Sequence, residues 1–103
     1  MADPMRIRAK LTGDVVEVKV LMSHPMETGL RKDGDGNVVM GHYITKVTVT
    51  CNEREVMSAD WGPAVSKNPF LALRFKGAAV GDTVRITWVD TAGETRTDEA
   101  KVG

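Results

Sequence analysis

Tyr43-Ile44-Thr45-Lys46-Val47-Thr48-Val49-Thr50-Cys51 is the stretch that sets the fold class. Val47, Val49 and Cys51 fall on one face of an extended chain, and Thr48 and Thr50 fall on the other. β-Branched side chains suit a pleated, half-buried surface, and alternation at period two gives a strand one apolar and one polar face. The run reads as a central strand.

Toward the C-terminus, Asn52-Glu53-Arg54 turns the chain into a shorter strand, Glu55 to Asp60, which Trp61-Gly62-Pro63 ends. After the Asn68-Pro69 turn, Leu71, Leu73 and Phe75 alternate with Ala72, Arg74 and Lys76, and a bend follows from Gly77 to Asp82. Val84, Ile86 and Trp88 then alternate with Arg85 and Thr87, which makes Trp88 the largest candidate for the centre of a core. Thr91-Ala92-Gly93-Glu94 leads to a polar strand from Thr95 to Val102, expected at a solvated edge. Toward the N-terminus, Val16, Val18, Val20 and Met22 form one apolar face, and Met5, Ile7, Ala9 and Leu11 form another across the Thr12-Gly13-Asp14 turn. Pro25 cannot donate to a ladder, so pairing should stop near His24. Asp33-Gly34 and Asp35-Gly36 suit a tight turn, which predicts that Glu27 to Lys32 pairs with Val38 to Tyr43. Helix is expected at most as a single turn from Pro63 to Ser66. Seven or eight short antiparallel strands point to an all-β, immunoglobulin-like sandwich, although the Cys…Trp…Cys signature is missing.

The 103 residues fit one domain, 1–103, and its fourteen basic and fourteen acidic side chains cancel. No net field favours nucleic acid or an anionic membrane, and no apolar run nears the roughly 18 residues of a membrane span. Met1 to Leu11 lacks the apolar core of a signal peptide. Cys51 is the single cysteine, so an intrachain disulfide is excluded.

Candidate chemistry concentrates in Ser23-His24-Pro25-Met26-Glu27-Thr28-Gly29-Leu30. His24, Met26 and His42 are soft or borderline metal donors, but no histidine follows Cys51 as a cupredoxin-like copper loop would need. Asp33, Asp35 and Asn37 match the start of a calcium loop, yet Val38 stands where that loop needs glycine and Ile44 where it needs glutamate. Cys51 lies beside Thr50 and Asn52, neither of them a base, and shares the parity of Val47 and Val49; a buried apolar role suits it better than a nucleophile's. Asp98 and Glu99 lie on opposite faces of a strand, and Gly77 to Gly81 lacks the Lys-Ser or Lys-Thr pair of a phosphate loop. No catalytic residue, metal ligand set or cofactor motif emerges. His24, Pro25, Met26, Glu27, Trp61, Pro63 and Phe70 are instead candidates for a partner surface, because apolar groups gathered on loops often mark one. A small metal-handling sandwich using His24 and Met26 is the alternative.

Two long runs carry a resemblance. Leu21-Met22-Ser23-His24-Pro25-Met26-Glu27-Thr28-Gly29-Leu30-Arg31-Lys32-Asp33 and Ser58-Ala59-Asp60-Trp61-Gly62-Pro63-Ala64-Val65-Ser66-Lys67-Asn68-Pro69-Phe70 resemble the SoxZ family, as do Ile86-Thr87-Trp88-Val89-Asp90 and Ala92-Gly93-Glu94. The resemblance implies a non-catalytic subunit that forms a heterodimer with SoxY in the carrier complex of thiosulfate and sulfur oxidation. It implies that SoxY bears the sulfur adduct on a cysteine of its own, that c-type cytochrome and hydrolase enzymes dock in turn, and that the pair is exported to the periplasm by SoxY's signal. It gives Cys51 no carrier role, and it leaves open self-association of the isolated chain through the face SoxY would cover.

Overall fold

In the computed structural model, which describes residues 3–62 and 64–103, the chain is all β. Its strands are β1 (Arg6–Thr12), β2 (Val15–Leu21), β3 (Ile44–Cys51), β4 (Arg54–Asp60), β5 (Phe70–Lys76), β6 (Thr83–Asp90) and β7 (Thr95–Lys101). They form two antiparallel sheets, ordered β1-β2-β5 and β4-β3-β6-β7, stacked as a sandwich. β3 is central, as its composition predicts, and β7 is an edge. The turn predicted to begin at Pro63 starts outside the described residues; Ala64 and Val65 lie in a turn and a bend.

The sheets meet through Val16, Val18 and Val20 of β2, Ile44, Val47 and Val49 of β3, and Val84, Ile86 and Trp88 of β6, all fully buried. Each such side chain contributes about 1.5–3 kcal/mol relative to exposure. Strict alternation would send Ile44 outward with Lys46. A register shift between Ile44 and Lys46 against β6 absorbs one residue, so Ile44 and Val47 both point inward. Two-residue loops join β1 to β2 at Gly13-Asp14 and β3 to β4 at Asn52-Glu53. Asn52 and Glu53 both have positive φ, the backbone of a tight hairpin that matches strand twist.

The pairing predicted between Glu27 to Lys32 and Val38 to Tyr43 survives only as isolated bridges, Glu27 with His42 and Lys32 with Val38. The strand count is therefore seven. Residues 31–38 are exposed, so this arm has no apolar face whose burial would hold a regular ladder. Its tip is closed locally by Asp33, whose Oδ1 accepts the Asp35 and Asn37 N–H groups. The molecule measures 54 × 21 × 20 Å. Strands of seven or eight residues account for about 26 Å of the long axis, and the end loops supply the rest.

The inward face of β7 carries Arg96 and Asp98, joined by two hydrogen bonds of 2.9 and 2.8 Å. The Arg96 guanidinium holds the Asp98 carboxyl below its ordinary range despite partial burial, and the Met5 N–H helps. Trp88 is the centre of the core, and its Nε1–H meets no acceptor. Trp88→Ala should cost about 3–5 kcal/mol in urea unfolding, whereas Thr97→Ala, which removes an exposed hydroxyl contact with Thr87, should change stability by under about 1 kcal/mol.

Candidate functional site

The end of the sandwich that gathers the Met22–Tyr43 loop, the end of β6 and the β6–β7 turn holds the most concentrated polar group in the core. Met22 ends the apolar alternation that β2 begins, Pro25 breaks the ladder, and the chain turns inward so that His24 is only 3 % exposed. Met26 adopts φ 49°, an unusual backbone for a side chain with Cγ. That conformation brings its N–H to His24 Nδ1 at 3.0 Å.

An imidazole nitrogen that accepts an N–H is unprotonated, so in neutral His24 the proton sits on Nε2. His24 Nε2–H then donates to Asp90 Oδ2 at 2.9 Å. His42 Nε2 reaches the same oxygen at 2.7 Å from the opposite side of the loop. The second oxygen, Asp90 Oδ1, accepts from the Ala92 and Glu94 N–H groups at 3.0 and 2.9 Å and caps the β6–β7 turn. The His24 ring packs edge-on to His42, centroids 4.7 Å apart, and edge-on to Trp88 at 5.0 Å.

Burial works against a charge on Asp90, which is 4 % exposed. The bonds from His24, His42 and Glu94 outweigh that penalty and hold the carboxyl below its ordinary value. His24 and Asp90 are thereby used up. Both His24 nitrogens are bonded, both Asp90 oxygens accept twice, and Met26 Sδ accepts the Ile44 N–H at 3.4 Å.

His24, His42 and Asp90 offer donor atoms within 4.8 Å of one another, the set a divalent cation would use. The hydrogen bonds oppose that use. A cation on His24 Nε2 would require the proton on Nδ1, where it would face the Met26 N–H, donor against donor. Met26 is likewise committed through its sulfur. Among the described residues, no nucleophile completes an acyl-transfer triad here either. Ser23 Oγ bonds Asp3, and Cys51 lies at the far end of β3 from Ile44, about 23 Å along the strand. Burial, with the Asp82 carboxylate, pushes the Cys51 thiol above its usual pKa, and its side chain stays in the core.

The residues predicted to form a partner surface divide. His24 and Met26 are buried and offer a partner no surface of their own; they shape the loop from within. Trp61 is half-buried and packs on the core, and Glu27 is half-buried and bonded to Arg31. Pro25 is exposed, and Phe70 is 62 % exposed on the outer face of the three-stranded sheet. Pro63 lies outside the described residues. Leu30 at 86 % and Met40 at 85 % are more exposed than Phe70, and Val38 at 60 % is nearly as exposed, all three on the arm. Asp90 was not singled out from sequence as a site residue. Its partner His24 stands 66 positions away, and the only local signal was a carboxylate just before a turn.

A model of the family described as sulphur oxidation protein SoxZ matches residues 5–101. No curated protein matches the sequence. Among solved structures, a hypothetical protein from Pyrococcus horikoshii superposes with a TM-score of 0.67 at 16 % identity, covering 99 % of this chain and 89 % of that one. A superoxide reductase in the oxidized state gives 0.66 at 16 % identity over 96 % and 86 %. A superoxide reductase (neelaredoxin) from Archaeoglobus fulgidus in the reduced form gives 0.62 at 17 % identity over 95 % and 85 %. At these identities the likeness concerns the fold.

Asp90→Asn keeps the shape of the side chain but sets an amide against two imidazole donors, and should destabilise the fold by about 3 kcal/mol near neutral pH. Because the native carboxyl sits below its ordinary value of 3.8, its stabilisation is complete above that pH and drains away as pH falls through the native value. The gap between native and variant unfolding curves should therefore narrow on acidification in that window. Cys51 should resist iodoacetamide in the folded chain and react fully in urea.

Proposed function

The chain belongs to the SoxZ family of sulphur oxidation proteins, matched over residues 5–101, and from that premise we propose that it binds SoxY and helps form the surface on which the pathway's enzymes dock. The family is the non-catalytic partner of the SoxYZ carrier. The observation that carries the reading is the commitment of the buried polar pair: His24 and Asp90 are spent on each other, on His42 and on the turn. Such a site fastens a loop and leaves sulfur chemistry to another chain.

What it fastens is the root of the arm. His42 pairs with Glu27 through backbone bonds of 2.7 and 2.9 Å, while its side chain is pinned to Asp90. Leu30, Val38 and Met40 then project from a fixed base. Long apolar side chains gain nothing in water at 60–86 % exposure, and a permanent partner that covers them supplies the missing burial. In this reading Leu30, Val38 and Met40 seat SoxY together with Pro25, with Glu27 and Trp61 alongside. Phe70, on another face, is available to a second protein. The c-type cytochrome and hydrolase components dock transiently on the assembled pair, which works in the periplasm after export with SoxY.

Mixed with SoxY, the chain should form a heterodimer of micromolar or tighter affinity by calorimetry. Replacing both Leu30 and Met40 with Asp should weaken it at least about 10-fold. Cys51→Ala should leave sulfur loading of the pair intact. Failure of the native chain to bind SoxY would overturn the reading.

A further inference from the structure

A net charge of zero conceals an uneven distribution. On the outer face of the β1-β2-β5 sheet, the register aligns Arg8 with Lys19 and Lys10 with Glu17 and Arg74, with Arg6 above and Lys76 below. The charged side chains there are six cations and one carboxylate. Glu17 is spent on Arg74 at 2.9 Å and Lys19 at 3.5 Å, and Lys76 has only Asp14 of the adjoining turn, at 3.6 Å. Among the described residues, Arg6, Arg8 and Lys10 have no acidic partner within 4 Å, although they stand on one strand at every second position. The outer face of the four-stranded sheet is balanced: Lys46, Arg85 and Lys101 lie among Glu55, Asp60 and Glu99. The remaining acids are on end loops, such as Asp33, Asp35 and Glu94, or in the core.

Protection of a strand edge does not require this pattern. Lysines on edges deter pairing, but here the cations continue onto central β2. β1 is itself partly covered, since the Leu11 N–H and Ala9 carbonyl bond Gly103. A row of like charges repels itself, and the cost disappears when an anionic surface covers it.

We propose that this sheet face is the docking surface for an acidic protein face that meets the chain transiently. The inference rests on the carrier reading and identifies the chemistry of the docking enzyme's surface. A flat face dominated by unpaired charge suits fast, salt-sensitive encounters, whereas permanent subunit contacts are more apolar, as on the arm. One end of the face supplies an anchor: Phe70 and Leu21, aligned across the ladder, are 62 % and 42 % exposed. Leu21 is in turn aligned with Arg6, and an exposed aromatic, an aliphatic and an arginine in one cross-strand row match the composition of a protein interface. The rows through Arg8 and Lys10 hold no aromatic on which a nucleic acid base would stack.

The test uses the complex of this chain with SoxY, flowed over each immobilised pathway enzyme, cytochrome and hydrolase, across a range of salt. The variant combines Arg6→Glu, Arg8→Glu and Lys10→Glu; the control reverses Lys46, Arg85 and Lys101 on the other sheet. For at least one enzyme, the variant's association rate should fall about 10-fold or more at low salt and lose most of its salt dependence, while the control stays within about 2-fold. SoxY binding and the melting temperature of the variant should be unchanged, which separates a docking defect from misfolding. Equal rates for native and variant complexes would overturn the proposal, as would equal losses in variant and control. So would loss of SoxY binding in the folded variant, or binding of the native complex to phosphatidylglycerol vesicles or a single-stranded oligonucleotide in preference to either enzyme. Absence of a native complex with SoxY would instead overturn the carrier reading.

Discussion

One carboxylate organises this end of the molecule. Asp90 accepts four hydrogen bonds, two from imidazoles on a long excursion between the sheets and two from the turn that starts β7. A buried charge is tolerated when its lone pairs are answered, and the answers here come from two parts of the chain, the excursion and the turn. The excursion from β2 to β3 buries only Met22 and Met26 among its apolar side chains, so much of its attachment is polar. Met26 bridges the two kinds of adhesion, with a buried side chain, a sulfur on the Ile44 N–H and an amide on His24. The strained φ of Met26 fits this picture, since the surrounding bonds fix it in place.

Most of the sandwich was legible in the sequence because alternation is a local signal. Val16, Val18 and Val20, or Val84, Ile86 and Trp88, declare their face within five residues, and tight turns at Gly13-Asp14 and Asn52-Glu53 set the register between neighbours. What escaped reading is non-local. The shift between Ile44 and Lys46 follows from where β6 lies, which β3 alone does not encode. The arm looked like a hairpin because Asp33 and Gly36 make a good turn, and they do; the flanks lacked the apolar face that would have turned two bridges into a ladder. His24 was visible as chemistry without an address, because its partner comes from β6, at the far end of the chain.

The fold is shared with superoxide reductases at 16–17 % identity, yet the geometry at the histidines belongs to this chain's own folding. A backbone N–H aimed at Nδ1 decides what His24 does: it makes the ring a donor toward Asp90. Family membership and local chemistry therefore agree on a subunit that positions rather than reacts. In the proposed reading, recognition falls to the parts the core does not need, the arm with its exposed Leu30, Val38 and Met40 and the outer face of the smaller sheet.

The separation of charge has a kinetic meaning of its own. A molecule without net charge is not drawn toward a charged neighbour from afar, but one whose cations crowd a single face feels a torque as it comes near. That torque decays faster with distance than a net attraction, and at physiological salt it acts within about 8 Å of the surface. If the cationic face docks an acidic partner as proposed, the chain meets that partner at random and then turns to present Arg6, Arg8 and Lys10 during the last ångströms of approach. Selectivity is then a matter of orientation at contact.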